Sequence, residues 1–227
     1  MERENGTERA AERLLEAALP HVAFDGWSEA TFRAAVADSG VAEALARALY
    51  PRGGIDLALA WHRQGDRRMA DILAQTPPEG RIRDRIAHAV MTRLRLADRE
   101  AVRRGSALMA LPQHAGDGAA AIWGTADAIW RALGDTSGDV NWYSKRATLS
   151  AVYGATVLFW LGDDSADATA TQDFLDRRLG EVMQVEKLKA AVRDNPVARR
   201  LLAVPFKLMS HIRAPAPETD LPGRTSR

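Results

Sequence analysis

Apolar residues recur along the chain with the spacing of α-helices. Ala11, Leu15, Ala18 and Leu19 share one helical face, because they follow one another at intervals of four, three and one residues. Similar stripes recur further on, at Ala58, His62, Gly65, Met69 and Ile72; at Ile82, Ile86, Ala89 and Val90; at Ile122, Trp123, Ala126, Ile129, Trp130 and Leu133; and at Leu175, Leu179, Val182 and Met183. Alternation at strand spacing is not sustained. The pattern predicts an all-α fold, a helical bundle of about nine to ten helices.

Capping and breaking residues predict the first helix boundaries. Thr7 is a candidate N-cap of the first helix, and Ser28 is a candidate N-cap of a second that runs to about Asp38. Ser39-Gly40 ends that helix, and a short third helix is expected from Val41 to Leu49. Segments rich in Gly, Pro, Asp and Ser predict loops at 76–80, 112–118, 134–141 and 162–166.

This order of helices resembles the N-terminal helix-turn-helix of TetR-type regulators over residues 7–75. The segment 28–52 holds three acidic and three basic side chains, so its net charge is zero. Such a surface gains little from releasing counterions of DNA. We therefore predict a vestigial helix-turn-helix that binds no nucleic acid. A TetR-type transcriptional regulator that senses an apolar ligand is the alternative.

Composition and motifs favour a binding protein over an enzyme. The chain has 227 residues, 46% of them hydrophobic, a net charge of +1 and no cysteine. It contains no glycine-rich phosphate loop, and its five histidines lack the spacing of helical zinc or di-iron sites. We expect no catalytic residues, no metal and no cofactor. His62 lies on an apolar stripe and is interpreted as a hydrogen-bonded core histidine.

A basic amphipathic helix is predicted near the C-terminus. Asn195 and Pro196 form a favourable start, and no acidic residue follows before Arg213. Cations beside a wide apolar face suit an anionic membrane surface, although a core helix or a homodimer helix would show the same periodicity. Pro205 should kink this helix. The membrane-binding candidates are Arg199, Arg200, Leu201, Leu202, Val204, Phe206, Lys207, Leu208, Met209 and Ile212.

A longer motif carries a family resemblance. Three segments together resemble the Coq-nine family of ubiquinone-biosynthesis accessory proteins. They are Gly138-Asp139-Val140-Asn141-Trp142-Tyr143-Ser144-Lys145-Arg146 through Tyr153, Asp163-Asp164-Ser165, and Phe174-Leu175-Asp176-Arg177-Arg178. The resemblance implies a non-catalytic TetR-like protein that binds an isoprenoid lipid or quinone intermediate. It also implies docking on the membrane by the last helix and assistance to the demethoxyubiquinone hydroxylase.

The resemblance also implies site residues. The partner-binding patch would fall at Trp142, Tyr143 and Arg146, although Trp142 could instead hold its helix to the core. The lipid pocket would be lined by the apolar faces of three helices, which spacing alone would assign to the core. These candidates are Trp123, Ala126, Trp130, Leu149, Val152, Tyr153, Val157, Trp160, Leu175, Leu179 and Met183.

The patterns and the resemblance together predict four regions of the chain and the cellular location of the protein. Residues 1–75 form the helix-turn-helix region, 76–195 the lipid-binding region and 196–213 the membrane-surface helix, and the proline-rich tail 214–227 is expected to be disordered. The N-terminal segment carries three glutamates by residue 8, unlike a secretory signal or a transit peptide. We therefore expect a bacterial, cytoplasmic protein that is peripheral on the inner membrane.

Overall fold

Nine α-helices build the part of the chain that the structure describes. The computed structural model describes the backbone of residues 2–194 and the side chains of residues 6–184. The helices are α1 (Glu2–Asp25), α2 (Glu29–Ser39), α3 (Glu43–Leu49), α4 (Gly54–Gln75), α5 (Ile82–Arg95), α6 (Arg99–Met109), α7 (Ala115–Ala132), α8 (Val140–Leu161) and α9 (Thr169–Asp194). Short 3-10 turns lie at Pro112–His114 and Ala166–Ala168, and this range contains no strand. The all-α prediction is confirmed.

The first three helices pack on the start of α4 around one apolar cluster. The hydroxyl of Ser28 accepts a hydrogen bond from the Thr31 amide at 3.2 Å, which confirms the predicted N-cap of α2. Gly40 then ends α2 in a left-handed conformation that a side chain would disfavour. Trp27 is buried in this cluster, and its indole N–H donates to the Ala101 carbonyl at 3.0 Å. That bond ties the N-terminal helices to α6.

A second apolar cluster forms the larger part of the core. It joins the C-terminal half of α4 to α5, α7, α8 and α9. Helix α7 packs between α4 and α8, and α9 packs against α5 and α8. Fully buried Met69, Ile129 and Leu175 come from three of these helices. Helix α8 packs against both α7 and α9 in this cluster.

Three predicted boundaries were wrong. Thr7 lies inside α1 rather than capping it, because the preceding Glu- and Arg-rich residues also favour helix. The third helix begins at Glu43, since the Val41 amide bonds instead to the Ser39 hydroxyl at 3.3 Å. The predicted loop 112–118 is largely helical, because a 3-10 turn leads directly into α7 at Ala115.

The described helices do not include a membrane span. None of those within residues 2–194 is both long and apolar enough to cross a bilayer. The apolar run 147–161 lies within α8. The predicted amphipathic helix 196–213 and the tail from Ala214 lie outside the described residues.

Candidate functional site

A cavity of about 420 Å³, called cavity A below, lies between α4, α5, α6, α7 and α8. Its volume falls within the range of small-molecule sites. Most of its wall is apolar, and the side chains include Trp27, Trp61, Leu94, Met109, Ile122 and Val157. Leu158 at its edge is 69% exposed, whereas Tyr153 on its wall is 3% exposed. Cavity A therefore runs from an apolar surface into the core.

The inner end of cavity A is polar. Arg93 is buried on α5, and its Nε donates to Asp66 Oδ1 on α4 at 2.7 Å. The same guanidinium donates to the His62 carbonyl at 3.0 Å. Arg93 crosses α4 at Gly65, where a Cβ would lie 2.6 Å from the guanidinium carbon. A side chain at this helical position would therefore displace the guanidinium from its present place.

His62 and Thr125 extend this polar end from α4 to α7. The Thr125 hydroxyl lies 2.8 Å from His62 Nε2 and donates to Asp66 Oδ1 at 2.9 Å. Burial lowers the pKa of His62, so its imidazole is neutral at pH 7. Burial also raises the pKa of the Tyr153 phenol beside it. His62 is hydrogen-bonded, as predicted, but it faces cavity A rather than a filled core.

A second cavity, called cavity B below, occupies about 500 Å³ on the other side of α8. Its apolar wall comes from α5, α7, α8 and α9 and includes Ile86, Leu133 and Val182. Asp135 and Lys145 lie on its rim, 2.7 Å apart. Cavity B is therefore lined by more charged and hydroxyl-bearing residues than cavity A.

The predicted lipid-binding residues divide between these cavities. Two of them, Tyr153 and Val157, line cavity A. Five others line cavity B: Trp130, Leu149, Val152, Leu179 and Met183. The remaining four, Trp123, Ala126, Trp160 and Leu175, line neither, because they pack against neighbouring helices. Cavity B is thus lined by members of all three predicted stripes. The stripe on α8 is divided, because Leu149 and Val152 line cavity B whereas Tyr153 and Val157, further along the helix, line cavity A.

The predicted partner patch is corrected at Arg146. Only 1% of this residue is exposed, and its guanidinium bonds to Asp127 at 2.5 Å and Asp135 at 3.0 Å. It cannot contact a partner directly. The Trp142 ring covers this guanidinium, 4.0 Å from the ring centre, and packs edge-on against Tyr143. Arg146 therefore lies beneath the two aromatic residues of the patch, both of which are partly exposed.

The sequence analysis missed most of cavity A. Trp27, Trp61 and Arg93 were not candidates, because a pattern along one helix does not show which helices will meet. One usable signal was Gly65, a glycine inside a helical stripe, since such a position often marks a close approach. The arginine that approaches it comes from 28 positions further along the chain.

The fold and its ligand-sized cavities define a TetR-like helical protein. A solved TetR transcriptional regulator from Nitrosomonas europaea superposes with a TM-score of 0.60 and 22% sequence identity, over 75% of this chain and 96% of the regulator. At that identity the likeness concerns the fold.

Sequence comparisons identify the family more narrowly. Residues 115–186 match the model of the COQ9 family. Proteins called "Ubiquinone biosynthesis protein COQ9, mitochondrial" are 30% identical in Rattus norvegicus, covering 78% of this chain and 60% of the rat protein, and 31% identical in Xenopus tropicalis, covering 78% and 58%. The chain is similar to COQ9 proteins over most of its own length, and it spans about 60% of the length of these curated relatives.

Asp135 bonds to Lys145 and Arg146 beneath the aromatic patch, and these bonds predict how the stability of the fold depends on pH. Burial alone would raise the pKa of Asp135, but hydrogen bonds from Lys145, Ser137 and Arg146 lower it to about 2. The ionised carboxylate therefore stabilises the folded state above pH 4, and this contribution is lost as the pH falls towards 2. Asp135→Asn should lower the free energy of unfolding by about 3 kcal/mol at pH 7.

Urea unfolding at several pH values measures this effect. The difference between wild type and Asp135→Asn should shrink as the pH falls from 4 to 2. The matched variant Asp71→Asn, at an exposed position on α4, should change little at any pH. If the difference in unfolding free energy between wild type and Asp135→Asn stayed constant with pH, the lowered pKa of Asp135 would be contradicted.

Proposed function

We propose that this protein is a non-catalytic, lipid-binding accessory protein of ubiquinone biosynthesis. It binds an isoprenoid quinone precursor at the membrane surface and assists the demethoxyubiquinone hydroxylase. The observation that carries the proposal is cavity A, an apolar space of about 420 Å³ that opens at exposed Leu158. The names of the relatives supply the pathway.

Cavity A supports binding of an apolar ligand on physical grounds. Each buried Å² of apolar ligand surface contributes about 25 cal/mol, so a chain of a few isoprene units in such a cavity gains several kcal/mol. Indole rings of Trp27 and Trp61, 5.6 Å apart, form part of the wall and offer flat apolar contact. A mostly apolar wall of this kind favours hydrocarbon over polar metabolites.

The surface of α2 and α3 argues against the alternative of a transcriptional regulator. Arg47, the arginine on α3, pairs with Glu29 on α2 at 2.5 Å. That pair leaves α3 without a free cation for a phosphate, because Arg47 is its only basic residue. This neutralised surface supports the prediction that the protein binds no nucleic acid.

The same proposal includes a membrane-bound location. The basic amphipathic segment 196–213 would hold the protein on an anionic membrane, and the aromatic patch of Trp142 and Tyr143 would face the hydroxylase. Aromatic residues are enriched among the residues that contribute most to interface affinity. The lipid would then enter through the mouth of cavity A, and the hydroxylase would bind at the aromatic patch.

Filling cavity A should abolish lipid binding. Gly154 lines the cavity, and a Cβ there would lie 3.6 Å from the nearest Ile122 atom, an ordinary contact. Gly154→Leu should therefore fold but reduce affinity for a short-chain ubiquinone at least tenfold. Quenching of the fluorescence of Trp27 and Trp61 by the quinone measures binding.

Gly180→Leu is the matched control, because Gly180 also lies in a helix but lines neither cavity. It should bind the quinone as wild type does. Equal quenching curves for wild type and Gly154→Leu would mean that the quinone binds elsewhere.

Trp142→Lys tests the partner patch. It should weaken capture of the hydroxylase about 30-fold, because central aromatic residues each contribute roughly 2 kcal/mol or more to such interfaces. The thermal midpoint should change little. Phe24→Lys, at an aromatic residue on α1 that is 84% exposed, is the control and should leave capture unchanged. A large loss of thermal stability in Trp142→Lys would assign Trp142 to the core instead.

Charge reversal tests the membrane segment. Arg199→Glu combined with Arg200→Glu should reduce sedimentation with anionic vesicles more than tenfold, since each cation contributes about 1 kcal/mol near such a surface. Binding to neutral vesicles should hardly change. Truncation after Asn195 should leave a folded protein that binds neither kind of vesicle. Aggregation of the truncated chain would place this segment in the core.

A further inference from the structure

We propose that the inner end of cavity A binds the hydroxyl-bearing head of an isoprenoid amphiphile, with His62 Nδ1 as the hydrogen-bond acceptor. The inference rests on the proposed lipid-binding function and specifies the chemical class of the ligand and its orientation. The favoured ligand is a neutral phenol or hydroquinone whose isoprenoid chain extends towards the mouth.

The hydrogen bonds of His62 determine its tautomer. Its Nε2 lies 3.2 Å from the Ala121 carbonyl oxygen, which can only accept a hydrogen bond. The Thr125 hydroxyl lies 2.9 Å from Asp66 Oδ1 and 3.3 Å from the Ala121 carbonyl oxygen, two atoms that only accept, so it donates to one of them and accepts from Nε2. The proton of the neutral imidazole is therefore on Nε2, and Nδ1 is left as an acceptor.

His62 lies on the wall of cavity A, and its Nδ1 has no hydrogen-bond partner among the residues that the structure describes. The His62 side chain is 17% exposed. An acceptor without a partner in an apolar cavity favours a ligand that donates a hydrogen bond there.

The charges around His62 favour a neutral head. Arg93 lines the same end of the cavity, but Asp66 neutralises it through the 2.7 Å contact. An anionic carboxylate or phosphate would enter a mostly apolar space without an uncompensated cation to meet it. A phenolic hydroxyl avoids that cost and can donate to Nδ1.

Burial determines the orientation of the ligand. Arg93 and Tyr153 are each 3% exposed at the inner end, whereas Leu158 is 69% exposed at the mouth. A head group bound at His62 would therefore lie deep in the core, with the hydrocarbon along Trp61 and Val157. The apolar tail would leave through the apolar mouth.

Two matched ligands test the inference: a phenol that carries a farnesyl chain, and its methyl ether. The ether keeps the shape and the chain but lacks the donor. Wild type should bind the phenol about tenfold more tightly, the effect of one hydrogen bond in a buried site. His62→Leu has a similar volume but no hydrogen-bond acceptor, so it should bind the phenol and the ether with equal affinity.

His88→Leu, at an exposed position on α5 outside both cavities, is the control and should keep the tenfold preference. Equal binding of phenol and ether by wild type would overturn the inference and leave the lipid-binding proposal standing. A preference retained by His62→Leu would overturn it as well. Failure of wild type to bind either ligand would overturn both proposals.

Nitrogen NMR of the imidazole is an independent measurement on the full chain. The His62 spectrum should show the Nε2–H tautomer, and the Nδ1 signal should move when the phenol binds but not when the ether binds. An Nδ1–H tautomer, or equal shifts with both ligands, would contradict the assignment of His62 as the acceptor.

Discussion

The ion pair between Arg93 and Asp66 is the contact on which the interior of this protein depends. A guanidinium buried in a helical core is tolerated only when a carboxylate and further acceptors meet it. Asp66 and the His62 carbonyl do so at 2.7 and 3.0 Å, and Gly65 leaves the room in which the guanidinium lies. The pair joins α4 to α5 and forms the polar end of cavity A. Loss of the pair would therefore disturb both the helix crossing and the cavity.

A second buried arginine, Arg146, supports the aromatic patch on the surface of the second apolar cluster. Arg146 on α8 bonds to Asp127 and Asp135, and its flat face supports the Trp142 ring. Substitution of Arg146 would change the patch without any direct contact to a partner. In a fold similar to that of a transcriptional regulator, both charged clusters lie inside the helical bundle rather than on α3.

Helical periodicity predicted the class of fold, because each stripe needs only its own helix to be recognised. The N-cap at Ser28 and the hydrogen-bonded state of His62 were also accessible from neighbouring residues and residue type. The division of the stripes between two cavities was not, since it depends on how the faces of α8 are oriented towards α7 and α9. The burial of Arg146 was missed for a related reason. Its partner Asp127 lies on α7, and no spacing within α8 indicates that contact.

The central claim is that cavity A holds an isoprenoid ligand in the cell. Native mass spectrometry of the protein purified under mild conditions from its own organism, followed by organic extraction of the bound species, tests it directly. One isoprenoid phenol, hydroquinone or quinone per chain is the expected result. A protein that carries no such molecule, or that carries bulk membrane phospholipid in proportion to its abundance, would contradict the claim.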